Sequence, residues 1–356
     1  MGKFVLLILL IAAATGAWLW YCIEQPYRAF PAEGIFVDVP HGASSRGVAR
    51  LLQRQGVVRS AIAFEFYARR HPRRSLQAGE YFFNSATSTH DVFWKLANGQ
   101  VFEQPFTVRE GETMFDIARD LEAGNFMPAS DFLRAAKDPA LIQDLSPHAA
   151  TLEGFLFPAT YHMSRHPTAS TLTADMVRKF REEWSAVTAA SGKGNAGANE
   201  TDATALSSTG LSSSLPMASI VTLASLVERE TPKSEERPLV AGVFRNRLTK
   251  AMPLQCDPTV VYVLEQQGRY KGTLTLTDLR VESPYNTYIH SGLPPGPIGN
   301  PGEASLRAAY QPAQTDYLYF VANTQGGHFF SSTLAEHNNN VIKYRRLLAG
   351  EQAATR

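Results

Sequence analysis

Two cysteines in 356 residues, Cys22 and Cys256, are too few for a disulfide framework or a four-cysteine metal site, so packing must supply the stability. Net charge is equally scarce. Lys and Arg total 34 against 33 Asp and Glu, which leaves no field for holding a polyphosphate and argues against a nucleic-acid partner. Nine histidines include no His-Glu-x-x-His pair, and His328 and His337 fit no standard zinc spacing. There is no Gly-x-Ser-x-Gly elbow and no Walker A loop. These absences make acid–base chemistry without metal or cofactor the economical choice.

The N-terminus has instead a run without charge. Phe4 to Tyr21, 18 residues, is just long enough to cross a bilayer core as a helix. Trp18, Trp20 and Tyr21 cluster where an interfacial aromatic belt would lie, and Lys3 stays on the short side. A single anchor over 1–23 with an extracytoplasmic body is expected. A cleaved signal peptide is the rival, since Ala14 and Gly16 are small, but no strongly basic stretch precedes the run.

Beyond the anchor, Phe36–Leu52 resembles Pro105–Leu121 at an offset of 69 residues. Val39, Gly42, Ala49, Arg50 and Leu52 correspond to Val108, Gly111, Ala118, Arg119 and Leu121, and each set reads as strand, glycine turn, helix. In the second set Thr113 is the expected N-cap, with Asp116 completing a capping box. Leu76–Phe83 and Leu152–Phe157 read as returning strands. Two small βααβ modules over 32–103 and 104–168 follow; the plainer view is that any small strand–helix unit looks this way. From 189 to 215 the composition collapses into Ser, Ala, Gly, Thr and Asn and reads as a flexible insert. The Gly192–Gly197 match to a dinucleotide fingerprint has no strand before it and is accidental.

Order resumes at Pro216, and Met217–Thr231 holds no helix breaker until Pro232. On a helical wheel Glu230 falls among Leu223, Leu226, Val227 and Ile220. Glu228 lies between Met217 and Val221, and Arg229, Thr222 and Ser225 take the polar side. Periodicity thus puts two carboxylates in or beside apolar surroundings without choosing between them. A carboxyl held there has its charged form disfavoured, which suits a general acid. The plainer alternative is an edge glutamate paired with Lys233 or Arg237.

Three downstream stretches, Leu254–Tyr262, Ser283–Ile298 and Phe320–Phe330, are polar, aromatic and turn-rich without simple periodicity. Their Tyr, Asn, Gln and Asp side chains suit sugars, aromatic faces meeting apolar sugar faces and amides meeting hydroxyls.

Ala224-Ser-Leu-Val-Glu-Arg-Glu-Thr231, with Leu254-Gln-Cys-Asp-Pro-Thr259, Tyr285-Asn-Thr-Tyr288, Gly292-Leu-Pro-Pro-Gly296 and Gly326-Gly-His-Phe329, resembles the endolytic murein transglycosylase family, also called YceG-like. Phe106–Ala118 is similar to the opening of LysM modules, which bind N-acetylglucosamine-containing glycans. The resemblance covers nearly the whole chain. It implies an α+β fold with one transmembrane helix, LysM-like βααβ modules, and a mixed α+β catalytic domain over 169–350 around a central catalytic helix. It further implies a single-pass inner-membrane protein with its body in the periplasm, cutting nascent peptidoglycan strands internally beside membrane peptidoglycan synthases, without a cofactor.

Matched motif by motif, the catalytic acid falls on Glu230, not Glu228. Candidates for substrate contact are Glu153, Gln255, Asp257, Thr259, Tyr285, Asn286, Tyr288 and His328. Ala159 stands where the family commonly has Asp after the proline of the Glu-Gly-aromatic-Pro segment. The reaction so implied cleaves the β-1,4 bond after N-acetylmuramic acid and leaves a 1,6-anhydro end. The rivals are a water-using muramidase with Asp257 or Glu153 as second carboxylate, and a non-catalytic peptidoglycan-binding scaffold.

Overall fold

The computed structural model describes residues 2–193 and 215–354. Helix α1 (Gly2–Glu24) leaves every side chain from Phe4 to Ile11 exposed, and it is long and apolar enough to cross a membrane. The remainder is mixed α+β. The chain divides into two compact units, Met1–Gln104 with His162–Arg165, and Pro105–Tyr161 with His166–Arg356.

In the first unit β1 (Ile35–Val39), α2 (Ser45–Arg54), α3 (Ala61–Arg69), β2 (Gly79–Phe83) and α4 (Thr89–Ala97) follow in order. β1 pairs antiparallel with β2, from Ile35 opposite Phe83 to Val39 opposite Gly79. Strand alternation sends Val37, Val39, Tyr81 and Phe83 inward, onto Leu52, Phe64, Phe93 and Leu96 of the helices. Ser44, Ser60 and Ser88 each cap a helix by accepting the N–H three residues on, which satisfies a donor with no partner inside the helix.

The same order recurs as β3 (Gln104–Thr107), α5 (Met114–Ala123), α6 (Ala129–Ala136) and β4 (Thr160–Met163), with β3 paired to β4. Thr113 and Asp116 form the expected capping box. Leu152–Phe157, expected as a returning strand, is a buried turn, and the returning strand is β4. Gly154 adopts φ +87°, and the N–H groups of Gly154 and Leu156 both donate to Asn300 Oδ1 at 2.8 and 3.0 Å, so neither joins a ladder. A Cβ at Gly154 would stand 2.3 Å from Pro297 Cγ, which only glycine avoids.

Then follow α7 (Ala169–Lys193), α8 (Met217–Glu230), α9 (Arg237–Thr249), α10 (Asp257–Gln266), α11 (Glu303–Tyr310), the antiparallel pair β5 (Tyr319–Ala322) and β6 (His328–Ser331), and α12 (Leu334–Ala354). Helix α7 runs on through Ala189 and Ala190, good helix formers, to Lys193; the rest of the low-complexity stretch, 194–214, lies outside the described residues.

Helix α8 is buried from Ile220 to Glu228 under α9, α10 and α11. Thr222 and Ser225, expected on a polar side, are buried as well. Thr222 donates to the Ala218 carbonyl at 2.8 Å and Ser225 to that of Thr222 at 2.7 Å, while Ser225 Oγ accepts the Ile298 N–H at 3.0 Å. Hydroxyls satisfied in this way let the helix be enclosed all round.

Candidate active site

Thr231 leaves helical geometry (φ −138°, ψ 129°) and Pro232 follows, so α8 stops at Glu230. Its carboxyl therefore sits at a helix C-terminus, where the negative end of the helix dipole opposes ionisation. Glu230 is half-buried, and the Cys256 thiol, a weak donor, points to its Oε2 at 3.4 Å. Burial holds the Glu230 carboxyl up to about 7 against the pull of that thiol; the Asp257 charge adds to the lift and Arg247 opposes it.

The Pro253–Asp257 loop brings these groups to Glu230. Buried Arg247 donates from Nη1 to the Leu254 carbonyl at 2.9 Å and from Nε to the Leu318 carbonyl at 2.6 Å. Gln255 takes φ +49°, a costly conformation for a residue with a Cβ, and its N–H donates to the Thr287 carbonyl at 3.1 Å. The kink turns Cys256 inward and leaves Gln255 and Asp257 exposed on either side of it. Cys256 N–H is held by Thr287 Oγ1 at 3.0 Å, and its carbonyl accepts from Thr259 Oγ1 at 2.7 Å. Tyr288 donates to Asp257 Oδ1 at 2.5 Å, and burial together with that carboxylate pushes its phenol upward.

Glu153 sits in the buried 152–157 turn. It accepts the Met114 N–H at 3.0 and 3.2 Å, Asn300 Nδ2 at 3.0 Å and the Tyr262 hydroxyl at 3.4 Å. Burial pushes its carboxyl up to about 8, chiefly against the Met114 N–H at the start of α5. Glu228 is also buried, but Arg237 Nη2 meets its Oε1 at 2.6 Å and the Gly302 N–H donates to its Oε2 at 2.9 Å. Burial raises the Glu228 carboxyl, and the Gly302 N–H and Arg237 oppose the rise. The pairing with Arg237 that was open for either glutamate thus goes to Glu228.

Gln255, Asp257 and Tyr288 therefore gather on the loops beside Glu230. Thr259 is buried in the first turn of α10, and Asn286 is buried within the loop that carries Tyr288. Asn286 Nδ2 donates to the carbonyls of Leu279 and Val281 at 3.0 and 2.9 Å, and its Oδ1 accepts the Tyr288 N–H at 3.0 Å. The Tyr285 ring lies 5.2 Å from that of Tyr262. His328 stands on β6, with Nδ1 2.7 Å from Glu236 Oε2 and its N–H donating to Oε1 at 3.0 Å.

Sequence reasoning missed Cys256, Arg247 and Asn300. Cys256 lay inside a quoted motif, where an extended alternation sets it opposite Gln255 and Asp257; Asn300 follows directly on the Gly/Pro-rich stretch, where polar turn residues commonly tie loops together. A cavity of about 350 Å³ opens among Phe115, Tyr262, Tyr270, Asp116, Glu265 and Gln266. Among the described residues no three His, Cys, Asp or Glu side chains converge as metal ligands.

The sequence profile of the YceG-like family matches residues 37–343. The Bacillus subtilis (strain 168) protein named endolytic murein transglycosylase is 31% identical over 345 residues, covering 92% of this chain and 90% of that protein. A Streptococcus pneumoniae protein of the same name is 29% identical over 376 residues, covering 96% of this chain, which spans 64% of the relative's length. A crystal structure of a yceG-like protein from Listeria monocytogenes is 32% identical, with a TM-score of 0.54, covering 87% of this chain and 99% of the other.

Proposed function

The chain belongs to the YceG-like family, and from that premise we propose that it is an endolytic murein transglycosylase with Glu230 as its single acid–base group. The observation that carries the assignment is the contrast among three glutamates, Glu153 and Glu228 buried and Glu230 half-buried. Glu228 and Glu153 are occupied by strong donors, whereas Glu230 meets one weak thiol donor and has its carboxyl lifted to about 7, where an acid can both give and take a proton.

In the proposed reaction protonated Glu230 gives its proton to the glycosidic oxygen as the muramoyl C1–O4 bond breaks. The resulting carboxylate takes the proton from the C6 hydroxyl as that oxygen bonds to C1, which closes the 1,6-anhydro ring and restores the acid. An internal nucleophile removes the need for a second protein carboxylate and benefits from high effective molarity. Asp257, tied to Tyr288, serves by holding Glu230 protonated.

We assign sugar contact to exposed Gln255 and Asp257, to Tyr288 and Tyr285, and to His328, and assign Glu153, Thr259 and Asn286 to holding the walls. Helix α10 links Asp257 at one end to Gln266 in the aromatic cavity at the other, about 14 Å by helical rise, so the cavity suits sugars further along the strand. Helix α1 serves as the inner-membrane anchor, with the body in the periplasm near peptidoglycan synthases, and the two βααβ segments act as LysM-like glycan modules.

Mass spectrometry of digested sacculi before and after borohydride reduction tests the reading. Anhydro ends, inert to borohydride, are expected. Reducible ends would make water the nucleophile, and intact glycan with bound protein would leave a scaffold.

A further inference from the structure

Charge divides between the units although the chain is nearly neutral. The first unit carries twelve Lys and Arg against seven Asp and Glu. Four of the arginines, Arg69, Arg70, Arg73 and Arg74, fall within six residues at the end of α3 and just beyond it.

Helix α3 is also what the end of α1 packs against. Cys22 and Ile23 bury against Ala63, with Leu19, Phe66 and Tyr67 around them, and Thr89 Oγ1 of α4 donates to the Cys22 carbonyl at 2.8 Å. The anchor thus enters the first unit as a packed helix, and α3 meets it at Leu19, Cys22 and Ile23, next to Trp18, Trp20 and Tyr21 in the sequence. On α3, Ile62 is 70% exposed and Phe66 follows one turn on, with the Arg70 guanidinium 4.7 Å from the Phe66 ring. Arg59 sits between two rings, 4.6 Å from that of Tyr21 and 4.6 Å from that of Tyr27. Its buried Nε has no hydrogen-bond partner, and among the described residues neither Arg59 nor Arg70 has a carboxylate partner, whereas Arg46 and Arg69 share Glu65.

We propose that Arg59, Ile62, Phe66 and Arg70 form a surface that seats on the bilayer, Ile62 entering the headgroup layer while Arg59 and Arg70 bind the phosphates of anionic phospholipids. The proposal rests on α1 being a membrane anchor. Continuity with the anchor selects a lipid surface as the occupant: an apolar residue and unpaired guanidinium groups at the level of an aromatic belt match the layer where acyl chains give way to phosphate. Arginine stacked on aromatic rings is already ordered and loses little freedom on binding phosphate. The first unit would then stand at a fixed height on the membrane.

The test uses the full chain in nanodiscs, with a fluorophore on Ile62→Cys or, separately, on Trp18→Cys; both native cysteines are buried, so labelling is selective. Phosphatidylcholine with brominated acyl chains is the quencher, with and without phosphatidylglycerol. Quenching at both positions is expected, with the signal at 62 strengthened by phosphatidylglycerol, weakened by salt, and unmoved by inorganic phosphate at constant ionic strength. Replacing Arg59 and Arg70 by Gln should weaken contact at 62 about fivefold per arginine. Quenching at 18 without quenching at 62 overturns the seating. Quenching at 62 that is equal with and without phosphatidylglycerol overturns the phosphate sites, and competition by inorganic phosphate would assign them to the free anion. Absence of quenching at 18 removes the anchor, and this surface with it.

Discussion

The end of α8 and the 152–157 turn each hold a glutamate whose carboxyl is lifted well above its ordinary range, half-buried Glu230 to about 7 and buried Glu153 to about 8. Burial is the main cause in both, so a raised carboxyl does not by itself mark a catalytic group. The partners differ. Glu153 is met by a backbone N–H, an amide and a phenol, and by its bond from the Met114 N–H it ties the start of α5 to the turn, so its proton is enclosed in architecture. Glu230 meets one thiol, and its neighbours Gln255 and Asp257 face solvent. A carboxyl whose bonding capacity is left unspent is the one available to a substrate.

The largest effect should come from Glu230→Gln, nearly isosteric but without the transferable proton. Release of anhydromuropeptides should fall by about two to four orders of magnitude with folding intact. Glu228→Gln should behave in the opposite way, keeping most activity per folded molecule while costing stability, because Arg237 loses its buried charged partner and keeps only the more exposed Glu110. Near-normal release by Glu230→Gln would move the chemistry elsewhere.

Next in size is Asn300→Ala on the Glu153 side. It removes the acceptor of the Gly154 and Leu156 N–H groups and the donor to the Glu112 carbonyl and Glu153. At about 1–3 kcal/mol for each buried group left unmet, a loss of about 3 kcal/mol or more is expected in denaturant titration. A variant as stable as the parent would mean that the turn holds itself.

How much of this was legible in sequence follows from where the specifying contacts lie. Pro216 and Pro232 bound α8, and Thr113 with Asp116 starts α5, because caps and breakers act within a few residues. The 152–157 turn was not legible, since Asn300, about 146 positions away, fixes it, and a local reading of Leu-Glu-Gly-Phe-Leu-Phe favours a strand. Periodicity could not separate Glu228 from Glu230, because α8 is enclosed on all sides and no polar face orients the wheel. What separates them is Arg237 and the Gly302 N–H, both supplied by other segments. Motif resemblance pointed to Glu230 where periodicity could not.

A smaller effect separates Glu230→Gln from the parent by pH. If Glu230 must start protonated, activity should decline as pH rises through about 7. A carboxyl raised in the folded state favours folding below its ordinary range, near 4.5, and that benefit is lost as pH rises to about 7. Glu230→Gln should therefore match the parent in stability below about pH 4.5 and exceed it above pH 7, with a Tm difference that grows between those limits. A stability difference that does not change with pH would show that Glu230 is not lifted.

The smallest effect concerns the thiol. Cys256 donates to Glu230 Oε2, and a donor favours the ionised form. Cys256→Ala removes it, so the Glu230 carboxyl should rise further and the alkaline limb of the activity profile should move to higher pH. Cys256→Ser restores a hydroxyl donor in nearly the same place, so its limb should lie at or below that of the parent. The loop should survive both changes, because the 256 backbone is held by Thr287 and Thr259 independently of the sulfur. A limb that moves the same way in both variants would mean that packing around the thiol, not its hydrogen, sets the acidity of Glu230.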